Sequence, residues 1–286
     1  MNMQIESILK NGYHEKDGIY VPAYVEDGTV WDTLATTDLL DAATSAVSEE
    51  HATKKGEPQI LQLEHEAKGD VLLDLGCGYG RIAEQLLPRR PFEAYIGIDS
   101  SLKMLRFARE RKHGRADITT PMYFVYGKID AIPLVDASVD TVVVSAVFLH
   151  NHKSVTQKSL MEIYRILKPG GKLFVFGSFP NLVSLMGVQV ALYLFFLKIF
   201  GDPYRNGPVR YFSKREVKKL LTSYTHAEIV PSGFGVFPKR ILLFPKSVNM
   251  LYLRFVANPI NTLCATIIPR AYQDSFATHH DVIAIK

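Results

Sequence analysis

Residues 71–180 alternate short apolar, β-branched runs with segments that carry apolar side chains at helical spacing. A strand, a helix and a second strand in succession are typical of parallel sheets that helices cover on both faces. Five such runs lie at residues 71–75, 94–98, 122–126, 140–145 and 172–177, and two more start at His226 and His279. The sequence therefore predicts an α/β fold with a doubly wound, seven-stranded, mostly parallel sheet and helical inserts.

Capping signals support the helices of this pattern. In "SSLKMLRFARERKHG", Ser100 or Ser101 can cap a helix that Gly114 ends. In "SKRE", Ser213 and Glu216 have the spacing of a capping box, which predicts a helix over about 214–223. Both helices are expected to pack against the sheet.

The remainder of the chain is expected to surround this core. The predicted divisions are an N-terminal arm or cap (1–58), a central core (59–180), an apolar insert (181–210), a continuation of the core (211–236), an apolar and basic insert (237–275) and a C-terminal core strand (276–286). The arm is expected to be helical and irregular.

Composition narrows the function classes. With 286 residues, 47% of them hydrophobic, the chain can bury a large core. A net charge of +4 is too small to indicate a nucleic acid partner. Cys77 and Cys264 are the two cysteines and lack metal-ligand spacing, so we predict no metal and a reducing, cytoplasmic location. The first 18 residues show no apolar core behind a basic end, so no secretory signal is predicted.

A glycine-rich turn follows the first strand of the core, in "VLLDLGCGYGR". Gly76, Gly78 and Gly80 leave the main chain open to a ligand at the positive end of the following helix. Asp99 ends the next strand, 19 residues after Gly80, where a carboxylate can accept both hydroxyls of a ribose. Glycines that serve only strand–helix packing are the alternative. Residues 78–83, "GYGRIA", also satisfy the dinucleotide fingerprint, so the glycines alone leave the ligand open.

Three further features favour S-adenosylmethionine over a dinucleotide. Asp74 precedes the first glycine, where a carboxylate can attract the ammonium of a ligand. The segment "IPLVDASVDTVVVS" follows the third strand, and "LKPGGKLFVF" leads into the fifth. With these residues the chain resembles the class I, Rossmann-like, S-adenosylmethionine-dependent methyltransferases. More narrowly, it is similar to the group that includes quinone and other small-molecule methyltransferases.

The resemblance implies roles for individual residues. Asp74, Gly76, Gly78 and Gly80 match the loop that holds the methionine part of the cofactor, and Asp99 matches the acid that binds the ribose. Ser100 and Met104 lie where the family packs the adenine and its sugar. The chain departs from the family at the adenine, where Lys128 and Ile129 stand in place of an aspartate and a small residue. Either Asp130 reaches the adenine amino group, or the main chain near Ile129 contacts it.

The methyl acceptor is expected beside "SAVFLHNH", because ligands lie at the carboxyl ends of the strands in this fold. His150 is the candidate catalytic base, since an imidazole can take a phenol or enol proton near neutral pH. A capping or packing histidine is an equal alternative, and His152 is interpreted as a solvated neighbour. The segment lacks the Asn-Pro-Pro-aromatic turn of amino-group methyltransferases, which disfavours nucleic acid methylation.

The two inserts indicate the acceptor. Residues 182–200 are apolar for about 19 residues, close to the shortest membrane span, and a lid or interfacial helix is favoured over a span. Residues 240–270 interleave basic and apolar side chains, as a surface that meets anionic lipid does, although a solvated rim is nearly as plausible. We therefore predict a small hydrophobic acceptor, such as a quinone precursor or a lipid-like ring compound, and membrane-surface contact.

Three alternatives remain. The acceptor can be a soluble aromatic or polyketide-type compound, with the inserts forming a dimer interface. The protein can bind S-adenosylmethionine without catalysis, or it can use the cofactor for chemistry other than methylation.

Overall fold

The protein is described from a computed structural model. It describes residues 4–25, 32, 49–112, 115–181, 184, 188, 192, 195, 209–234, 236, 248 and 251–286. The predicted insert at 181–210 therefore lies mostly outside the described residues, as does part of the insert at 237–275.

A single mixed sheet forms the centre of the fold. Its strands are β1 (Tyr13–Lys16), β2 (Ile19–Pro22), β3 (Val71–Leu75), β4 (Ala94–Asp99), β5 (Met122–Tyr126), β6 (Val139–Ser145), β7 (Leu167–Pro180), β8 (His226–Phe234) and β9 (Ala277–Ile285). Their order is β1-β2-β5-β4-β3-β6-β7-β9-β8. The run β2-β5-β4-β3-β6-β7 is parallel, whereas β1 and β9 pair antiparallel with their neighbours.

Helices connect these strands and cover both faces of the sheet. They are α1 (Glu49–Glu66), α2 (Arg81–Leu86), α3 (Leu102–Lys112), α4 (Lys153–Ile166), α5 (Lys214–Leu220), α6 (Asn258–Ile267) and α7 (Arg270–Gln273), with short 3-10 turns at Ile5–Ser7 and Phe148–His150 and a π-helical segment at Leu253–Ala257. Ser213 and Glu216 form the predicted capping box at the start of α5. Ser101, rather than Ser100, accepts the Met104 N–H and caps α3.

The core consists of two apolar layers, one on each face of the sheet. One layer joins the sheet to α1, α2 and α3 through side chains such as Leu63, Leu86 and Leu105. The other joins it to α4 and α5 through side chains such as Leu160 and Val217. Strands β3, β4 and β6 are buried on both faces, which is why they read as continuous apolar runs in the sequence.

The predicted α/β fold class is confirmed, but seven strands is too few. The two additional strands, β1 and β2, form a hairpin that extends the sheet beyond β5. The N-terminal segment is therefore partly a component of the sheet rather than a wholly helical and irregular arm. The predicted boundary after residue 58 also falls inside α1. The apolar residues Ile60 and Leu63 of that helix are fully buried, so the helix packs as one element against the core.

None of the helices in the described part of the chain is long and apolar enough to cross a membrane. Ser184, Val188, Leu192 and Phe195 are the described residues of the apolar stretch 182–200. The preference for a lid or interfacial helix over a span at 182–200 stays a prediction.

Candidate functional site

The glycine-rich loop joins β3 to α2 at the carboxyl edge of the sheet. Gly76, Gly78 and Gly80 all have positive φ values, of 76°, 53° and 84°. A Cβ at Gly76 would lie 2.5 Å from the side chain of Val147, and one at Gly80 would lie 3.3 Å from Ala108. A Cβ at Gly78 would meet nothing within 4 Å. Packing therefore explains two of the glycines, and Gly78 is the one that leaves the main chain open.

Asp99 lies directly beside Gly78. The Gly78 N–H donates to Oδ2 of Asp99 at 2.9 Å, and the Ser101 N–H donates to Oδ1 at 2.9 Å. Burial raises the pKa of Asp99, and these main-chain donors act in the opposite direction. The carboxylate is thus fixed in orientation at the end of β4, with lone pairs left for further donors.

Asp74 lies under the loop rather than on its surface. Its side chain is buried, and the Tyr95 hydroxyl donates to its Oδ2 at 2.8 Å. Burial raises the pKa of Asp74 to about 7, against the opposing effects of the Tyr95 hydrogen bond and the Arg81 charge. Arg81, the first residue of α2, donates to Ser145 Oγ at 2.9 Å and so connects the loop to the end of β6.

The start of α3 forms a second wall of this region. Met104 is buried and Ser100 is half-buried, and their contact with the adenine and its sugar stays a prediction. Asp32 accepts a hydrogen bond from Ser101 Oγ at 2.6 Å, so the N-terminal segment reaches the cap of α3. This contact brings part of the predicted arm next to Asp99.

Ile129 and Asp130 lie in the turn after β5. The turn is fastened to β4 by the Gly127 N–H, which donates to the Asp99 main-chain oxygen at 3.0 Å. Ile129 packs against the core, and Asp130 is partly exposed. The structure therefore places the start of this turn beside Asp99, and the contact of Ile129 or Asp130 with an adenine stays a prediction.

His150 lies in the 3-10 turn that follows β6, at the same carboxyl edge. Ala146, which begins this connection, has a φ of 57°, a strained conformation of the kind found near functional sites. His152 is exposed and caps α4, with its Nδ1 accepting the Ser154 N–H. The capping role that was an alternative for His150 therefore belongs to His152.

The structure adds residues that the sequence analysis missed. Arg81 bonds to Ser145, Asp32 accepts from Ser101, and Tyr95 buries its hydroxyl against Asp74. At the edge formed by β7 and β9, Asp281 Oδ1 lies 3.5 Å from Nε2 of His279. The place of this pair at the edge could not be predicted from the sequence, because it depends on β9 pairing with β7.

A doubly wound sheet, a glycine-rich loop and an acid at the end of the neighbouring strand together define a nucleoside-binding α/β protein. Residues 73–175 match the family of methyltransferase domains. This region has the fold and the glycine loop of the class I S-adenosylmethionine-dependent methyltransferases. The dinucleotide alternative is thereby set aside.

Similar proteins extend the match. The chain is 31% identical to a demethylmenaquinone methyltransferase of Thermotoga maritima over 50% of this chain and 58% of that protein. It is 29% identical to a ubiquinone/menaquinone biosynthesis C-methyltransferase of Cereibacter sphaeroides over 61% and 70% of the two chains. A SAM-dependent methyltransferase structure from Archaeoglobus fulgidus has the same fold, with a TM-score of 0.53, 16% identity and coverage of 87% and 98%. The chain thus spans little more than half of the Thermotoga relative.

The residues present fit S-adenosylmethionine. Gly78 leaves free the space that a Cβ would fill, and Asp99 holds an oriented carboxylate beside it. The buried Asp74 supplies a negative charge behind the loop, near where the cofactor's ammonium is expected. When bound, the cofactor supplies an activated methyl group and a good leaving group.

Cofactor binding is expected to release a proton from Asp74. With a pKa of about 7, the carboxyl is largely protonated below that pH, and the cofactor's ammonium favours the ionised form. Because the pKa of Asp74 is raised, the affinity for the cofactor should increase as the pH rises toward 7, by up to about tenfold per pH unit, and then level off. Asp74→Asn should abolish this dependence.

Calorimetry at pH 6 in two buffers of different ionisation enthalpy would measure the proton release. Glu93→Gln is the matched control, because Glu93 is an exposed acid before the other end of β4. Proton release that persists in Asp74→Asn would show that another group titrates.

Proposed function

We propose that this cytoplasmic protein transfers the methyl group of S-adenosylmethionine to a small lipophilic acceptor at an anionic membrane surface. An isoprenoid quinone precursor is the acceptor class that fits best. The names of the Thermotoga and Cereibacter relatives support the quinone class. The observation that carries the proposal is an exposed apolar surface beside the acceptor edge of the sheet.

Exposed large apolar side chains are concentrated in the two inserts. Among the described residues they are Val188, Leu192, Phe195, Val248, Leu251, Phe255, Val256, Leu263, Ile267 and Tyr272, which we call the apolar surface. The other exposed residues of this kind, Tyr24, Leu61, Val135 and Met161, are scattered over the rest of the described chain. Such a concentration is typical of a surface that meets a membrane or a partner.

Both inserts leave the sheet at the edge where the acceptor is expected. Asn181, at the start of the first insert, donates from Nδ2 to the main-chain oxygen of Asp274 at the end of the second. The Val236 N–H donates to Oδ1 of Asn261 in α6 and fastens that helix near the end of β8. A lipophilic acceptor could therefore pass from a membrane to the site along the inserts.

Charge complementarity favours an anionic lipid surface over a second copy of the chain. The sequence from 237 to 275 contains five basic residues, Lys239, Arg240, Lys246, Arg254 and Arg270, and one acidic residue, Asp274. Each basic residue near an anionic membrane contributes about 1 kcal/mol of attraction. Two copies that meet through these basic segments would instead repel each other.

In this proposal the chain contributes mainly orientation and exclusion of water. Gly78 and Asp99 position the cofactor, and the turn after β6, with the buried Phe148, forms the neighbouring wall. In-line transfer requires the acceptor atom about 3 Å from the methyl carbon in a shielded site. His150 stays the sequence candidate for taking the acceptor's proton.

The proposal is tested by supplying methyl-labelled cofactor together with reduced demethylmenaquinone in detergent micelles. Lipid and aqueous cell extracts are tested in parallel. Label in the extracted quinone, or in the lipid extract, is the expected result. Label confined to the aqueous extract would favour a soluble acceptor, and absence of label despite cofactor binding would contradict methyl transfer.

The membrane contact is tested by changing α6. Leu263 and Ile267 are one helical turn apart and more than half exposed. Leu263→Asp with Ile267→Asp should weaken binding to vesicles of phosphatidylcholine mixed with phosphatidylglycerol by at least about tenfold, because burying each side chain contributes about 1.5–3 kcal/mol. Vesicle co-sedimentation measures the loss.

Met161→Asp is the matched control, because Met161 is equally exposed but lies on α4, outside the apolar surface. A comparable loss in Met161→Asp would contradict the assigned surface. A dimer by analytical ultracentrifugation that the α6 variant dissociates, without any vesicle binding, would instead support the dimer interface considered above.

A further inference from the structure

We propose that Asp281 and His279 form the acid–base pair that takes the proton from the methyl acceptor. This inference rests on the proposed methyl transfer and assigns its proton acceptor to β9. The two residues lie outside every segment that the sequence analysis connected with the acceptor site.

Polar contacts from β7, β8 and β9 hold the Asp281–His279 pair in place. His279 Nε2 lies 3.5 Å from Asp281 Oδ1, and the other ring nitrogen, Nδ1, lies 2.8 Å from the Thr278 hydroxyl. The Gly177 N–H of β7 donates to Asp281 Oδ1 at 2.7 Å, and Ser232 of β8 also hydrogen-bonds the carboxyl. Three neighbouring strands thus fix the geometry of a carboxyl and an imidazole.

The pair faces the same side of the sheet as the cofactor loop. Side chains alternate along a strand, so Asp281 shares a face with Ile283. Ile283 packs in the apolar layer that contains Leu72, which lies two residues before Asp74 on β3. Asp74 and Asp281 therefore lie on one face of the sheet, at the carboxyl ends of β3 and β7.

A continuous series of contacts joins the glycine loop to Asp281. The side chain of Val147 fills the space beside Gly76, and its N–H donates to Ser178 Oγ at 3.1 Å. Ser178 adjoins Gly177, which donates to Asp281. A Cβ at Gly177 would meet nothing within 4 Å, so space remains open beside the carboxyl. An acceptor located over the end of β6 would lie between the loop and the pair.

The environment of Asp281 suits a proton acceptor. Its side chain is buried, and this burial raises its pKa to about 6. A carboxyl with that pKa can accept and release a proton near neutral pH. Among the described residues, the groups on its face are His279, Ser232 and the Gly177 N–H, whereas His280 lies on the opposite face.

The neighbouring charges belong to a separate group. His280 Nε2 lies 3.5 Å from Asp274 Oδ1, and Lys214 Nζ lies 2.6 Å from Asp274 Oδ2. Burial lowers the pKa of His280. These three side chains connect β9 to the start of α5 and the end of the second insert, and we assign them a structural role.

The proposed step transfers a proton to the pair and a methyl group to the acceptor. The proton of an acceptor hydroxyl moves to the Asp281–His279 pair, and the electron pair that it leaves forms the bond to the methyl carbon. The bond between that carbon and the sulfonium sulfur breaks, and its electrons stay on sulfur as a neutral thioether. When a ring carbon of a quinol attacks instead, the electrons left on the oxygen form a carbon–oxygen double bond while ring π electrons form the bond to the methyl carbon. The hydrogen of that ring carbon then leaves as a proton to water, and the oxygen takes back the proton held by the pair.

The test compares Asp281→Asn and His279→Gln with wild type in single-turnover methyl transfer from pH 5 to 9, with reduced demethylmenaquinone in micelles. Asparagine keeps an oxygen that can accept the Gly177 N–H. Glu228→Gln and His226→Gln are the matched controls, because both residues are exposed on β8. His150→Gln is included as the competing base.

We expect Asp281→Asn to lower the single-turnover rate about a hundredfold at pH 7, since general bases contribute about 10²–10⁴. The decline in rate below about pH 6 should disappear, while cofactor affinity changes less than threefold by calorimetry. The controls should match wild type. A rate within threefold of wild type, or an unchanged pH profile in Asp281→Asn, would overturn the proposal. A pH profile altered by His150→Gln alone would assign the base to His150.

A second readout does not depend on turnover. Reduced demethylmenaquinone in micelles should shift the imidazole NMR resonances of His279 but not those of His226, whereas empty micelles should shift neither. Methyl transfer by the wild-type protein without a shift of the His279 resonances would contradict the role of the pair but not the proposed methyl transfer. Cofactor binding by the wild-type protein without methyl transfer and without the shift would contradict both the proposed methyl transfer and the role of the pair.

Discussion

Replacing Asp99 by alanine is expected to weaken S-adenosylmethionine binding by at least several hundredfold. The carboxylate is fixed by the N–H groups of Gly78 and Ser101, so it meets the ribose hydroxyls already oriented. Each hydrogen bond to a charged group contributes about 1.5–3 kcal/mol, and two such bonds account for the expected loss. Isothermal titration calorimetry measures the affinity directly.

The change also removes the acceptor of two main-chain donors, which should lower the free energy of unfolding by about 1–3 kcal/mol. Thermal melting in the absence of cofactor separates this loss from the loss of affinity. Asp99→Asn keeps most of the shape and one carbonyl acceptor, and it should bind more tightly than Asp99→Ala. Glu93→Ala, which removes an exposed acid before the start of β4, should bind like wild type. Unchanged binding in Asp99→Ala would remove the ribose assignment.

Replacing Gly78 by leucine is expected to lower cofactor affinity more than a hundredfold, because the side chain would occupy the space that the cofactor needs. The same change at Gly170 provides a matched control. Both glycines have positive φ, 53° and 74°, and a Cβ at either would meet nothing within 4 Å. Gly170 lies near the start of β7, beside Lys286, at the opposite end of the sheet.

Both variants should lose about 1–2 kcal/mol of folding stability, because leucine disfavours the left-handed conformation. Only Gly78→Leu should lose cofactor binding. Cofactor affinities equal to that of wild type in both variants would show that Gly78 serves the turn and not a ligand. Equal losses of affinity in both variants would show that the effect comes from backbone strain.

Local sequence patterns were sufficient for the centre of the fold. The apolar runs of β3, β4, β5 and β6 are close to their observed bounds, because strands buried on both faces must be apolar throughout. The capping box of Ser213 and Glu216 is a contact between residues three positions apart, so the sequence contains all of it. The same holds for the glycine turn that follows Asp74.

The N-terminal hairpin could not be predicted in this way. Strands β1 and β2 are four residues each, and three of the four side chains of β1 are exposed, so they lack a strong alternating pattern. Their place is decided by the pairing of β2 with β5, a strand about 100 residues later in the chain. The sheet therefore has nine strands where the sequence indicated seven.

The sequence by itself determined the order of strands and helices, the glycine loop and the acid that follows it, because these depend on neighbours along the chain. The tertiary structure decided which glycine stays open, that Asp74 is buried against Tyr95, and that Asp281 stands across the edge from the loop. Each of these depends on contacts between distant strands. Side-chain exposure and pKa shifts arise from those contacts, and local patterns carry no information about them.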